Sequence, residues 1–191
     1  MGSSAAPPLA SPLPPPSLVD RLLAERVLFP LLGAAQLGSL LFMGLRPKRY
    51  GPAGDFELPV VGAAGDLSSE RVHLRAMRSG PVLLDFWATW CAPCRVELPI
   101  LASLHRRFAG RGLQVVGVNV DEGGPSLVPQ FRQRFGLEYV MVYDVEGRAS
   151  RAFDVQGLLM LVLVDKAGQV RLRHAGTASE EELARAIESV L

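Results

Sequence analysis

Cysteine and histidine are scarce in this sequence of 191 residues, and their positions limit what they can build. The 2 cysteines, Cys91 and Cys94, belong to one local feature and supply no disulfide framework for the rest of the chain. Cysteine content therefore leaves the cellular compartment open. The 3 histidines, His73, His105 and His174, are scattered and form no second ligand pair for a structural zinc ion. We expect neither a metal nor a separate cofactor.

An excess of charge of either sign is also missing. The sequence has 20 Lys and Arg residues against 19 Asp and Glu residues, which gives a net charge of +1. Nucleic-acid-binding proteins normally carry a basic excess or stripe, so we expect no nucleic-acid partner. The hydrophobic fraction of 49% excludes disorder of the whole chain. Length and composition together predict one globular domain with additional segments.

The chain before residue 50 divides into two predicted segments. Residues 1–17 contain 6 of the 15 prolines and no charged side chain, which predicts a disordered leader. Residues 18–49 contain a charge-free run at 27–45, whose helical length of roughly 28 Å is close to the thickness of a bilayer core. We therefore predict a single membrane anchor there. A cleavable signal peptide and a buried or interfacial helix are the alternatives.

The orientation of such an anchor follows from the basic residues that flank it. Arg21 and Arg26 precede the run, whereas Arg46, Lys48 and Arg49 follow it. The positive-inside rule therefore favours a cytoplasmic location for the domain at residues 50–191, by a margin of one charge.

Residues 50–191 have the pattern of an α/β domain. Apolar runs typical of strands alternate with stretches typical of helices, and Pro59 predicts that the first strand lies at a sheet edge. Ser179 and Glu182 form a capping box that predicts the start of the last helix. We expect a central mixed sheet with helices on both faces. The predicted strands are 56–61, 82–88, 113–120, 139–143, 158–164 and 169–173, and the predicted helices are 92–107 (kinked at Pro99), 126–135, 148–153 and one from 179.

The two cysteines follow a predicted buried strand and open a predicted helix. A pair with this spacing is ambiguous by itself, because it suits half a zinc site as well as a redox pair. At a helix N-terminus, however, free N–H groups and the helix dipole stabilise a thiolate. Cys91 is therefore the predicted nucleophile, and Cys94, one turn further on and more buried, is the predicted resolving thiol. Pro93 fits the first helical turn, where its missing N–H costs nothing.

The residues around the pair carry a family resemblance. Phe86-Trp-Ala-Thr-Trp-Cys-Ala-Pro-Cys-Arg95, followed by Glu97 and Pro99, resembles the active-site region of thioredoxin-fold oxidoreductases. It is most similar to the TlpA-like group of membrane-anchored bacterial thiol reductases, which includes cytochrome c maturation factors. Further likeness lies in Asp55–Pro59, Val116–Asp121 and Leu163–Gly168, so the resemblance covers roughly residues 50–191.

The resemblance implies a fold, partners and a location. The fold is a thioredoxin sheet with an added N-terminal hairpin and a central helical insert. The implied partners are protein thiols and disulfides together with a membrane electron donor, and the redox group is the Cys91–Cys94 pair itself. The implied location of the domain is periplasmic or extracytoplasmic, and we adopt this expectation over the weak charge asymmetry around the anchor.

Two acidic residues near the cysteines have alternative interpretations. Asp85 is the charged residue of an otherwise apolar strand; it either points to solvent at a strand edge or is a buried carboxyl that exchanges a proton with Cys94. Thioredoxins have an Asp at the matching place, and the resemblance implies the second role. Glu97 is either an exposed helix residue or, as in TlpA-like proteins, a group that tunes the thiol pair.

One position departs from the family pattern. Thioredoxin-fold enzymes place a cis-proline before the late strand, facing the cysteines, but this sequence has Leu159 there and no proline after Pro129. A cis bond before leucine costs about 2.5–4 kcal/mol, so we expect a trans bond and an altered range of partners. The predicted substrate-binding residues are Trp90, Pro93, Leu158 and Leu159, and packing or the shielding of Cys91 from water is the alternative role of Trp90.

Three functions follow from these observations. The first is a membrane-tethered thiol–disulfide oxidoreductase that reduces protein substrates. The second is a thioredoxin-fold binding or assembly module with weak or no turnover, because Leu159 replaces the cis-proline. The third, peroxide reduction, is disfavoured because the peroxidatic pattern of Pro, Thr and Cys on one loop is absent around Cys91.

Overall fold

A computed structural model describes residues 50–191, and both predicted segments before residue 50 lie outside the described residues. Within 50–191 the chain forms one sheet of seven strands with four α-helices. Among these residues, no helix combines the length and the apolar character that crossing a bilayer requires. The strands are β1 Glu57–Val61, β2 Leu67–His73, β3 Val82–Trp87, β4 Gln114–Asn119, β5 Val140–Tyr143, β6 Met160–Val164 and β7 Val170–Ala175. The helices are α1 Ala92–Phe108, α2 Val128–Phe135, α3 Arg148–Ala152 and α4 Glu180–Glu188.

The sheet is mixed, with the strand order β2-β1-β5-β4-β3-β6-β7. Strands β3, β4 and β5 run parallel, whereas β6 is antiparallel to both β3 and β7. The carboxyl ends of the three parallel strands therefore share one edge of the sheet. The loops that follow them meet at that edge, which is where α/β proteins commonly place their functional groups.

The prediction of an edge position for β1 is wrong. β1 lies between β2 and β5, and its partner β2 is an exposed, polar strand that the apolar pattern of the sequence did not reveal. Pro59 pairs with Arg71 of β2, and the register shifts between Pro59 and Val61. The inner strand therefore carries its proline directly beside an irregularity of the ladder, where proline is commonly found in sheets. The β1–β2 pair is the N-terminal hairpin that the resemblance implies.

Two apolar layers cover the faces of the sheet. All 6 residues of β3 are buried, as expected for a strand covered on both faces. Leu83 and Trp87 point into the layer that α1, α2 and α4 cover, and Leu84 and Phe86 point into the layer beneath α3. Side chains alternate along a strand, so Asp85 lies on the same face as Leu83 and Trp87, towards α1.

The helix ends follow their sequence signals. Cys91 is the N-cap of α1, and the helix continues through Pro99 to Phe108. Ser179 caps α4, where its side chain accepts from the Glu182 N–H and the Glu182 side chain accepts from the Ser179 N–H. The predicted capping box is confirmed.

Candidate active site

Cys91 and Cys94 form a disulfide at the start of α1, with their Cα atoms 5.3 Å apart. The N–H of Cys94 donates to Cys91 Sγ at 3.3 Å, so the first turn of the helix directs a backbone donor at this sulfur. Cys91 is 6% exposed and Cys94 is 1% exposed. The two residues therefore differ in access, as the sequence predicts. Their separate chemical roles stay predictions.

Asp85 lies on the inner strand β3, on the face of the sheet that α1 covers. It is 1% exposed, and its strand β3 is flanked by β4 and β6, which excludes the interpretation of a solvent-facing Asp at an edge. Its Oδ1 atom has no hydrogen-bond partner among residues 50–191. Burial raises the pKa of Asp85 well above its ordinary value, and the nearby Glu97 carboxylate raises it further.

Glu97 is also buried, at 2% exposure, so the interpretation of an exposed helix residue is wrong. Burial raises its pKa from 4.5 to about 7, against smaller opposing effects of the Ala178 backbone amide and of His174. Neither Glu97 carboxylate oxygen has a hydrogen-bond partner among the described residues. Near neutral pH, Glu97 can therefore both accept and release a proton.

Further polar groups share this core, and the sequence did not single them out. Tyr139 is 2% exposed, and burial, followed by the charges of Asp85 and Glu97, raises its pKa well above 10.0. His105 packs edge-on against the Tyr139 ring, with centroids 5.8 Å apart. Glu97 and His105 stand two turns apart on α1, a spacing that could have indicated a shared helix face. Three buried polar groups have no hydrogen-bond partner within residues 50–191: Trp87 Nε1, His105 Nδ1 and the Tyr139 hydroxyl.

A fully satisfied carboxylate, which the sequence analysis also missed, lies in the loop after β4. Asp121 Oδ1 accepts from the Thr89 N–H at 2.9 Å and from Thr89 Oγ1 at 3.1 Å. Asp121 Oδ2 accepts from Asn119 Nδ2 at 2.9 Å. We call Thr89, Asn119 and Asp121 the Asp121 network. It joins the loop that precedes Cys91 to the end of β4.

The predicted substrate-binding residues surround the disulfide to different degrees. Trp90 is 65% exposed and Pro93 is exposed, whereas Leu158 is partly buried. Leu159 is 6% exposed and packs in the same apolar layer as Cys91. That these four residues contact a substrate stays a prediction.

Leu159 has an unusual backbone conformation. Among the described residues no peptide bond is cis, which agrees with the expected trans bond. The φ angle of Leu159 is +63°, a left-handed conformation that costs a non-glycine residue about 1–2 kcal/mol. Its carbonyl accepts from the Gly176 N–H at 2.9 Å, which fixes the loop before β6 to the end of β7. Leu159 therefore stands at the cis-proline position of the family with a trans peptide bond and a left-handed backbone conformation.

Within residues 50–191, no group of three or more His, Cys, Asp or Glu side chains is arranged to hold a metal ion. Together with the strand order, a disulfide at the N-terminus of a helix that follows a central parallel strand defines a thioredoxin-fold thiol–disulfide oxidoreductase.

Comparison with known proteins places the chain within a family. The AhpC/TSA family matches residues 51–173, and the chain belongs to this family. Thiol-disulfide oxidoreductase ResA from Geobacillus kaustophilus is 36% identical over 126 residues, which are 65% of this chain and 71% of that protein. ResA from Geobacillus thermodenitrificans is 32% identical over 172 residues, which are 90% of this chain and 97% of that protein.

The comparison of structures agrees with the comparison of sequences. A protein from Chlorobium tepidum, assigned as a thiol:disulfide interchange protein DsbE, superposes with a TM-score of 0.66 at 29% identity. The superposition covers 76% of this chain and 99% of that chain. These relatives carry names of thiol–disulfide exchange, which favours this chemistry over peroxide reduction.

Proposed function

We propose that this protein is a membrane-tethered reductant of disulfide bonds in other proteins, with its domain on the extracytoplasmic side. The observation that carries the proposal is the Cys91–Cys94 disulfide at the N-terminus of α1, together with two buried carboxyls, Asp85 on β3 and Glu97 on α1. The relatives named for thiol–disulfide exchange support the reaction type. The substrate class, the tether and the direction of electron flow are the proposed elements.

The reaction begins with the reduced pair. The Cys91 thiolate attacks one sulfur of a substrate disulfide, and the other substrate sulfur leaves as a thiolate. Cys94 then loses its proton and attacks Cys91 Sγ in the mixed disulfide, which releases the second substrate sulfur as a thiolate. Two electrons pass to the substrate, and the Cys91–Cys94 bond closes. A membrane electron donor then returns two electrons to the pair.

The buried carboxyls are suited to the second attack. Cys94 is almost inaccessible to water, so its proton needs an acceptor inside the protein. Glu97, whose pKa burial raises to about 7, has the proton affinity that an acceptor needs near neutral pH. Asp85 lies on the face of the sheet that is covered by α1, the helix of Glu97, and its pKa is raised by burial and by Glu97. We assign proton transfer from Cys94 to this pair of carboxyls.

The same carboxyls favour reduction over oxidation as the direction of the reaction. A disulfide is a strong oxidant when its reduced form, the dithiol, is stabilised, as in proteins that hold the thiolate among positive groups. Here the core contains two buried acidic groups, Asp85 and Glu97, and an ionised carboxylate close to a thiolate destabilises the reduced pair. A destabilised dithiol gives up its electrons readily.

The midpoint potential of the Cys91–Cys94 couple tests this direction. Equilibration of the full-length chain with reduced and oxidised glutathione is expected to give a midpoint at or below about −250 mV. Glu97→Gln removes the negative charge at nearly constant size and is expected to raise the midpoint. Glu181→Gln, an exposed change on α4, is the matched control and leaves the midpoint unchanged. A midpoint above about −180 mV would instead identify an oxidant or isomerase.

The tether and the location rest on the charge-free run at residues 27–45 and on the resemblance to membrane-anchored reductases. Intact cells treated with a membrane-impermeant thiol reagent after gentle reduction are expected to show labelled Cys91. The Cys91→Ser/Cys94→Ser variant sets the background, and a cytoplasmic thiol protein in the same cells reports leakage. Labelling only after lysis would contradict an extracytoplasmic domain.

One observation favours a second candidate function. Leu159 occupies the family's cis-proline position in a left-handed conformation, so the loop that faces the disulfide differs from that of a typical thioredoxin-fold enzyme. A binding or assembly module would use this surface without turnover. Its function would then survive the loss of both thiols.

A further inference from the structure

The Asp121 network forms hydrogen bonds with the turn that directly precedes α1 and ends at Cys91. The Cys91 N–H donates to the Ala88 carbonyl at 3.1 Å, which closes a turn with Thr89 and Trp90 as its central residues. The loop tip is exposed at Trp90, and Thr89 is attached to Asp121 by both its N–H and its hydroxyl. Asp121 itself is 6% exposed and lies 32 positions further along the chain from Thr89.

The Asp121 loop is well anchored on its other side. Tyr143 at the end of β5 donates from its hydroxyl to the Asp121 carbonyl at 3.0 Å, and the Val120 N–H donates to the Trp87 carbonyl at 3.0 Å. Asn119, which binds the second carboxylate oxygen, is completely buried. The carboxylate therefore connects a turn with an exposed tip to a rigid part of the sheet edge.

We propose that Asp121 is a positioning residue for the reactive dithiol: through Thr89 it holds the turn that places Cys91 Sγ at the N-terminus of α1. The inference rests on the proposed thiol–disulfide exchange, and it adds a residue that does not touch the sulfurs. The physical reason is that the turn ends at Cys91 itself, so a change in the conformation of the turn moves Cys91 Sγ. The N-cap conformation of Cys91 directs its Sγ to the Cys94 N–H, and rotation of the turn would remove that donor from the thiolate.

The polarity of the network explains why a carboxylate is needed. Both oxygens of Asp121 accept hydrogen bonds, one from Thr89 and the other from the Asn119 amide. Asparagine at position 121 has one oxygen and one NH₂ group. Because Thr89 and Asn119 both donate hydrogen bonds to position 121, the NH₂ group would face a donor on one of these two sides. The double change Asn119→Asp/Asp121→Asn reverses one hydrogen bond and restores complementary partners. It also keeps the net charge of the wild type.

Loss of the Asp121 charge and loss of its positioning effect would change the reactivity of the Cys91 thiol in opposite directions. Loss of a negative charge near Cys91 would stabilise the thiolate and make the thiol more reactive near neutral pH. Loss of the positioned turn would remove the Cys94 N–H from the thiolate and make the thiol less reactive. Other titratable groups in this region are Asp85 on β3, Glu97 on α1, His174 on β7 and Tyr143, whose hydroxyl donates to the Asp121 carbonyl, and all four are unchanged in every variant.

The test is the pH profile of Cys91 alkylation in the reduced full-length chain, with iodoacetamide as the probe. This readout involves no protein substrate or electron donor, so it distinguishes failure of this inference from failure of the proposed function. Near neutral pH, Asp121→Asn is expected to react about threefold or more slowly than the wild type, which corresponds to a rise of about half a unit in the thiol pKa. At strongly alkaline pH, where both thiolates are fully formed, the rates are expected to be equal.

Two further variants complete the test. Asn119→Asp/Asp121→Asn is expected to return to the wild-type profile. Asp144→Asn is the matched control, because Asp144 is a buried carboxylate at the same sheet edge that accepts from the Ala149 N–H and from both the N–H and the hydroxyl of Ser150, with no bond to Thr89. Its profile is expected to match that of the wild type.

Each remaining outcome overturns the inference. Faster alkylation of Asp121→Asn means that Asp121 acts only as a charge, and an unchanged profile with lower thermal stability means that it is only structural. If Asp121→Asn does not fold, Thr89→Val decides the question, because it removes the hydroxyl donor at constant size and charge. Slower alkylation of Thr89→Val supports the inference, and a wild-type profile refutes it.

Discussion

The Cys94→Ser variant is expected to accumulate as a mixed disulfide with its substrate, whereas Cys91→Ser forms no covalent complex. Cys91 is the more exposed residue of the pair, and its Sγ accepts the backbone hydrogen bond that stabilises a thiolate, so it makes the first attack. Without Cys94 nothing resolves the intermediate. Turnover in insulin-disulfide reduction is expected to fall by about a thousandfold or more in either variant. Turbidity measures turnover, and non-reducing gels measure the trapped complex.

The two single variants serve as controls for each other, because each removes one sulfur from the same helical turn. Activity that persists unchanged in Cys91→Ser would remove the basis of the catalytic proposal. Trapping by Cys91→Ser instead of Cys94→Ser would reverse the assigned roles. If the Cys91→Ser/Cys94→Ser variant still fulfils the protein's role in cells, the binding or assembly module becomes the better description.

The oxidised protein is expected to become less stable as the pH rises from about 5 to about 8. Glu97 has a pKa of about 7 in the folded protein and 4.5 as its ordinary value, so folding favours its protonated form. The stability that this group contributes is fully present below 4.5 and is lost as the pH rises through about 7. The difference corresponds to at most about 3 kcal/mol. Asp85, whose pKa burial also raises, contributes with the same sign.

Chemical denaturation of the disulfide-bonded protein at several pH values measures this dependence. Glu97→Gln is expected to flatten the profile between about pH 5 and pH 8, because the amide does not ionise. Glu182→Gln is the matched control: hydrogen bonds from the Ser179 backbone and hydroxyl lower the pKa of Glu182, so it affects only the acidic end of the profile. A wild-type profile that rises with pH over this window would contradict the assignment of Glu97 as a buried acid.

Local sequence signals predicted the part of the site that short-range geometry controls. The buried run of β3, the turn after it and the proline in the first helical turn together predict a helix whose N-cap is Cys91. A spacing of three on one helical turn then brings Cys94 to it. The capping box at Ser179 predicted the start of α4 for the same reason, because its partners lie within one turn.

Contacts between distant segments decided the remaining features. Pro59 suggested an edge strand, but β1 lies between β2 and β5, and its register with β2 shifts next to the proline. Glu97 had two interpretations because the polarity of a side chain does not show whether a helix turns it towards the core. Asp121 was quoted only as part of a family-like segment, since its partner Thr89 lies on another strand's loop.

By itself, the sequence determined that this protein has a reactive pair of cysteines at the start of a helix in an α/β domain, because hydrogen bonds within one turn and the apolar pattern of single strands specify those features. Only the tertiary structure decided that two carboxyls, on β3 and on α1, are buried and that a third forms hydrogen bonds with the turn before Cys91. Burial and long-range hydrogen bonds depend on which segments pack together, and strand order across the sheet sets that packing.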